Sequence, residues 1–349
     1  MTLMIPLLSV LLPFHTLLQL SATVPVMGED VPVPVPVSVL ELGTKEKPLP
    51  SLAPWHVECW YRSGSSVGNV NASQLTVFVT GFAGFLESEG YEDIWQGVVG
   101  EKTSSRIVCS LDRKMKFSMN INYTDIARTL TPSIRWMTNG SLADALASKG
   151  FKTTIMEKWA IAGHSAGAHV ILRRIMSYEC GSVGAFVLLD PVDGASPYDP
   201  DPPVVIRPGE KVPFTSPALH IAAGLDGDHK PFLASCAPAN LSNNHFYDAW
   251  RGPIWQINAS KMGHMDLYNV KPGWSGWASL ICPSHSNKTE KESYRQSISS
   301  AIVAFVDGIF TGRQENMLSV LEAGEGFIVP NDRTHDYHSF APTDWTPSC

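Results

Sequence analysis

Lys158-Trp-Ala-Ile-Ala-Gly163-His-Ser165-Ala-Gly167-Ala-His-Val-Ile-Leu-Arg-Arg-Ile-Met-Ser-Tyr178 is the stretch on which the fold turns. The apolar run Lys158 to Ala162 leads straight into Gly163 and reads as a buried strand. Ala166 to Tyr178 reads as a helix by composition and period. Between them lies Gly163-His164-Ser165-Ala166-Gly167. A serine at a sharp strand-to-helix turn carries its hydroxyl clear of the sheet edge, and the flanking glycines let strand and helix approach closely. The N–H after the serine then points at a developing oxyanion. Ser165 is therefore the candidate nucleophile. The pattern alone is weak, since a chain of this length matches it by chance roughly one time in ten. Gly64-Ser65-Ser66-Val67-Gly68 matches it too, but with no strand before it and no helix after it, so it reads as a turn.

Further strands are expected at Leu75–Thr80, Arg106–Ser110, Gly184–Leu189, Ala218–Ala223 and Pro253–Asn258. Residues 125–149 read as helical with a break near Asn139-Gly140, and Ser297–Ile309 reads as a closing amphipathic helix. Strands alternating with helices predict an α/β-hydrolase fold, a mostly parallel central sheet flanked by helices on both faces. In such sheets the chemistry sits beyond the carboxyl ends of the strands.

A serine nucleophile needs a base and an orienting acid, which here should follow in the order Ser, Asp or Glu, His. Of 11 histidines, His264 lies just past the Pro253–Asn258 strand and is the favoured base. His229 and His245 fall in less suitable loops, His164 points the wrong way along the turn, and His169 and His220 read as packed or solvated residues. For the acid, Asp190 ends one strand, while Asp226 and Asp228 follow the next in an Asp-Gly turn context. Position leaves both options open with Asp190 slightly ahead, and Asp193 reads as a turn residue. The N–H groups of Phe82, after the Leu75–Thr80 strand, and Ala166 are the candidate oxyanion hole. Asp226, Asp228, His229 and Asp266 match no defined metal-site spacing, so no metal or other cofactor is expected.

The rest of the 349-residue chain sets the context. It is 44% hydrophobic and 17% charged, an ordinary globular mix. The net charge of −7 and the lack of a long basic run exclude sequence-independent nucleic-acid binding. Residues 1–22 are Leu-rich and uncharged but interrupted by Pro6, Pro13 and His15. They fit a cleaved signal peptide better than a spanning helix, although the usual basic residue near the start is missing. Residues 23–54, with Val-Pro alternation over 31–37, read as an extended leader. Residues 55–312 are then the catalytic domain and 313–349 a C-terminal extension. Asn-X-Ser/Thr sequons stand at Asn71, Asn122, Asn139, Asn240, Asn258 and Asn287, against about two expected by chance. Six cysteines without a CxxC pair allow up to three disulfides. Together these features suggest a secreted or lumenal glycoprotein with no stable membrane span after signal cleavage.

Four blocks in order resemble the chlorophyllase family. They are Ala162-Gly-His-Ser165-Ala-Gly, Ala185-Phe-Val-Leu-Leu-Asp190-Pro-Val-Asp-Gly, Cys236-Ala-Pro with Asn244-His-Phe-Tyr247, and Ala259-Ser-Lys-Met-Gly-His264-Met-Asp266-Leu. The resemblance implies Ser165 as nucleophile, Asp190 as acid and His264 as base. It also implies chlorophyll or a related esterified tetrapyrrole as substrate, split into chlorophyllide and phytol. Two positions depart from the family pattern. Ala166-Gly167-Ala168 stands where Arg-Gly-Gly is usual, and Thr80-Gly81 where His-Gly is usual. A secretory leader also differs from the plastid addresses of plant members. The alternatives are an esterase of the same mechanism acting on another lipid or acetyl ester, and a silent hydrolase fold that binds pigment or protein.

Overall fold

The computed structural model describes residues 37–42, 52–62, 72–101, 104–113, 122–177, 182–194, 204–227, 235–269, 282–323 and 333–338. All of these belong to the unit Val35–Cys349, and residues 1–34 lie outside the described residues. The apolar runs read from sequence become neighbouring strands. In chain order the strands are β1 Val37–Leu42, β2 His56–Arg62, β3 Gln74–Val79, β4 Arg106–Asp112, β5 Trp159–His164, β6 Val183–Leu189, β7 Ala218–Ala223, β8 Ile254–Ala259 and β9 Arg333–His338. Among the described residues they form one nine-stranded sheet ordered β1-β2-β4-β3-β5-β6-β7-β8-β9. From β4 through β8 every pairing is parallel; β1, β2 and β9 add antiparallel edges.

Both faces of the parallel strands are covered, which is why they read as unbroken apolar runs. The helices are α1 Gly81–Gly84, α2 Glu92–Gly100, α3 Tyr123–Thr138, α4 Ser141–Ser148, α5 Ala166–Ser177, α6 Asn244–Ala249, α7 Lys288–Thr311 and α8 Gln314–Leu318. On one face Val77, Ile107, Ile161 and Phe186 pack with Leu130 of α3, Leu146 of α4 and Val170 of α5. On the other, Phe78, Val108, Val187 and Ile257 pack with Trp95 of α2 and Ile302 and Phe305 of α7. This is the α/β-hydrolase arrangement expected from sequence. The break foreseen at Asn139-Gly140 separates α3 from α4, with Gly140 at φ 101°. The closing helix is longer than Ser297–Ile309, running Lys288–Thr311.

Three features differ from the sequence reading. The expected leader over 23–54 contributes β1, which pairs with β2 and buries Leu40 and Leu42. Alternation of buried and exposed residues, rather than proline alternation, governs that segment; Leu52, further along, is also fully buried. The expected C-terminal extension supplies α8, whose Met317 is buried, and β9, which pairs with β8. The polar segment Arg333–His338 carries no apolar signal, because an edge strand joins through backbone hydrogen bonds. Strand β2 and helix α2 were also silent in the sequence reading.

Disulfides join Cys59 to Cys109, register partners on β2 and β4, and Cys236 to Cys282. Cys180 and Cys349 lie outside the described residues, as do the Ser66 pentapeptide and the polyproline segment before Val37. No helix among the described residues is long and apolar enough to cross a membrane.

Candidate active site

From β3 the chain goes to β4 on one side and then to β5 on the other, so the connections part between β3 and β5. Ligands bind at such switch points, beyond the strand carboxyl ends. Ser165 lies there, directly after β5, at φ 56°. The turn is tight for steric reasons. A Cβ on Gly163 would meet Ala168 N at 2.7 Å, and one on Gly167 would meet Val79 O at 2.4 Å. The serine backbone is clamped in turn. Its N–H donates to Leu189 O at 3.1 Å, and its carbonyl accepts from Val192 N–H at 3.1 Å.

His264 opens a short 3-10 turn, His264–Leu267, after β8. Its Nε2 is 2.8 Å from Ser165 Oγ, and its Nδ1 is 2.5 Å from Asp190 Oδ2. Asp190 follows β6 at φ 43°, and its Oδ1 accepts the Ala223 N–H at 2.8 Å. Three residues 74 and 99 positions apart in pairs are thus linked in the order expected for nucleophile, base and acid. Burial disfavours the Asp190 charge, but the hydrogen bond and charge of His264 outweigh it and hold the carboxyl below its usual range. Of the two acid options left open by sequence, Asp190 is the one against the imidazole. Asp226 follows β7, and its Oδ1 accepts the His264 main-chain N–H at 3.1 Å. Asp228 and His229 lie outside the described residues.

Phe82, at φ 53°, is the second residue of α1, and Ala166 is the first of α5. N–H groups in a first helical turn have no intrahelical acceptor, so both are available to an incoming oxygen. Helix α1 packs beside α5, and the Phe82 side chain is exposed.

Two polar networks support these groups and were not foreseen. Tyr91 Oη accepts the Gly81 N–H at 3.0 Å and lies 2.7 Å from His164 Nδ1. His164 Nε2 lies 3.1 Å from His264 O. One tautomer satisfies this chain, with Tyr91 donating to Nδ1 and Nε2–H donating to the carbonyl. Burial pushes the His164 imidazole down to about 3, so it stays neutral. In the second network Asp193, buried, meets His169 Nδ1 at 2.7 Å and His245 Nε2 at 3.0 Å, and accepts the N–H groups of Val205 and Ile206. Asp193 was read as a turn residue and His245 as a loop residue. Instead they tie α5, α6 and the segment at Val205 together. His169 and His220 are both buried, in line with the packed half of their reading.

Asp190, Asp226 and His264 offer ligand-type atoms within 4.8 Å of one another. Both ring nitrogens of His264 face Asp190 and Ser165, so a metal ion would displace one of those contacts. Asp266, also named at the sequence level, instead braces the histidine turn. It accepts from Gly263 N–H and His285 N–H, each at 2.8 Å.

A family model described as Chlorophyllase matches residues 114–332. Chlorophyllase-2 of Arabidopsis thaliana is 25% identical over 175 residues, covering 48% of this chain and 55% of that protein. Chlorophyllase type 0 of Chenopodium album is 30% identical over 169 residues, covering 46% and 47% respectively. The chain thus spans about half the length of the curated relatives it matches. Among solved structures, a ferulic acid esterase from Streptomyces cinnamoneus superposes with a TM-score of 0.51 at 14% identity, covering 81% of this chain and 92% of that one. At that identity the likeness speaks for the fold. With the family model matched over more than half its length, the chain belongs to the chlorophyllase family.

Proposed function

We propose that the protein is a serine carboxylic ester hydrolase acting on chlorophyll or a related esterified tetrapyrrole. The observation that carries the mechanism is His264, placed between Ser165 Oγ at 2.8 Å and Asp190 at 2.5 Å. In this reading Ser165 attacks the ester carbonyl. His264 takes the hydroxyl proton and returns it to the leaving alcohol, while Asp190 orients the ring. The N–H groups of Phe82 and Ala166 hold the oxyanion. Water then attacks the acyl-enzyme through the same histidine. Family membership supports the tetrapyrrole ester with phytol as leaving alcohol.

Ala166-Gly167-Ala168, where Arg-Gly-Gly is usual in the family, favours a second reading with the same chemistry on another lipid or acetyl ester. Purified protein and its Ser165→Ala variant, assayed on chlorophyll a and short p-nitrophenyl esters, test both. The substitution is expected to lower turnover at least ~1,000-fold. Equal activity of the two proteins rules the mechanism out, and no activity in either leaves a silent binding fold. Cleavage of simple esters without chlorophyllide release selects the second substrate class.

Export and glycosylation belong to the same proposal. Two disulfides support an oxidising compartment. Asn122, Asn139, Asn240 and Asn287 are exposed, while Asn258 lies within β8 with its Oδ1 buried and Asn71 lies outside the described residues. Glycans are accordingly expected at the four exposed sites. A mobility shift of medium-derived protein on endoglycosidase treatment checks this, and an unshifted band speaks against it.

A further inference from the structure

The Asp226 carboxyl has no role in the mechanism above, yet it is buried beside it. Its Oδ1 accepts the His264 N–H at 3.1 Å. Its Oδ2 is buried and meets no N–H or O–H donor among the described residues. The Asp226 carboxyl lies beside that of Asp190, with an oxygen of each within 4.8 Å of the other, and the Asp190 oxygens already receive Ala223 N–H and His264 Nδ1. Two carboxylate groups are acceptors only, so they hydrogen-bond each other only when one holds a proton. Asp190 cannot be that one while it faces the imidazole N–H. We propose that Asp226 is a positioning residue of this site: a neutral carboxylic acid whose Oδ2–H donates to Asp190 while its Oδ1 receives the main-chain N–H of His264. It fixes the acid and the base relative to each other and adds no second negative charge.

Burial first, and then the Asp190 charge, push the Asp226 carboxyl far above the usual range, consistent with a retained proton. The other titratable groups around it are His264 and Asp266 on the histidine turn, Tyr294 on α7, and His220, on β7, which faces Asp190. The reading rests on the proposed Ser165, His264 and Asp190 roles, but its first test does not need activity. Carbon-13 NMR of protein labelled at aspartate carboxyls should show one resonance in the protonated position from about pH 5 to 9, absent in Asp226→Asn. If all aspartates are ionised at pH 7, the proposal falls whatever the enzyme does.

Kinetics supply the second test. Asparagine keeps one acceptor for His264 N–H and one donor for Asp190. Asp226→Asn should therefore hold kcat/KM within about threefold, whereas Asp226→Ala should lower kcat roughly 10- to 100-fold at similar KM. The acid limb of kcat/KM should stay in place in Asp226→Asn. If Asp226 were ionised, that substitution would remove a negative charge beside the imidazole and move the limb down by about one pH unit or more. Such a movement, or equal losses in the two variants, overturns the proposal. Loss of activity in Ser165→Ala together with a failed carboxyl result would sink Asp226 alone and leave the triad reading standing.

Discussion

Backbone strain in the described residues collects around the site. Phe82, Ser165 and Asp190 all have φ between 43° and 56°, a region that non-glycine residues enter at a cost of about 1–3 kcal/mol each. Ser165 and Asp190 stand directly beyond strands and Phe82 in the helical turn after β3; Ser165 is held by Leu189 O and Asp190 by its N–H to Ile221 O at 2.6 Å. The Phe82 loop is held by Tyr91, whose hydroxyl links Gly81 N–H to His164 and through it to His264 O. Tyr91→Phe leaves a buried N–H and a buried ring nitrogen unsatisfied. It should cost about 1–3 kcal/mol in a urea titration, with kcat lowered more than KM is changed. An unchanged unfolding midpoint and unchanged kcat would show that the chain of bonds holds nothing. His164 was legible only as a residue beside the nucleophile. Its use depends on Tyr91, 73 positions away, which carried no sequence signal.

Elements with an unbroken apolar run were readable, because burial on both faces leaves the same mark wherever the strand lies. Strand β7 falls on the expected Ala218–Ala223, and β3, β5, β6 and β8 begin or end within two residues of expectation. The edge strands β1 and β9, and β2 between β1 and β4, were not readable as strands, since their places depend on partners elsewhere in the chain. How elements are tied together was equally hidden. Arg106 on β4 meets Asp307 on α7 at 2.6 Å, with both side chains buried, and Ser104 and Arg313 also bond that carboxylate. Removing one partner strands a buried charge. Asp307→Ala should lower stability by about 3–5 kcal/mol in denaturant unfolding, with the fold otherwise unchanged by circular dichroism. A loss under about 1 kcal/mol would show the pair to be solvated, as a surface ion pair is.

The whole molecule has a stability profile set by its buried titratable groups. Burial pushes His164 down to about 3, His220 to about 4, and His169 down as well. These imidazoles stay neutral when folded and gain a proton on unfolding below the ordinary 6.5. Acid therefore favours the unfolded chain between about 6.5 and those lower values. Asp226 acts in the other direction. Folded, it keeps its proton; unfolded, it loses it above the ordinary 3.8, so rising pH favours unfolding. His56 is shifted up, because hydrogen bonds and charges from Asp112, Glu58 and Glu41 outweigh its burial. Its contribution is complete below 6.5 and lost as pH rises through the folded value. Among the described residues His164 and His220, with His169 acting in the same direction, outweigh the one carboxyl below about 6.5, and above it the opposing Asp226 and His56 prevail. The urea midpoint should peak at about pH 6–7 and fall on both sides, and a midpoint that climbs steadily to pH 9 would contradict this balance. Residues near one another in the chain were enough to read the strand–turn–helix around Ser165, the chain order of the candidate nucleophile, acid and base, and the layered α/β architecture. Those features follow from side-chain periodicity and turn sterics within a few residues. Position left Asp190 only slightly ahead of Asp226 and the family resemblance implied it; its contact with the imidazole, the proposed positioning by Asp226 and the supporting links of Tyr91, His164 and Asp193 are visible only in the folded chain. They depend on which strands lie side by side and in what register, and that is set by packing across the entire sheet.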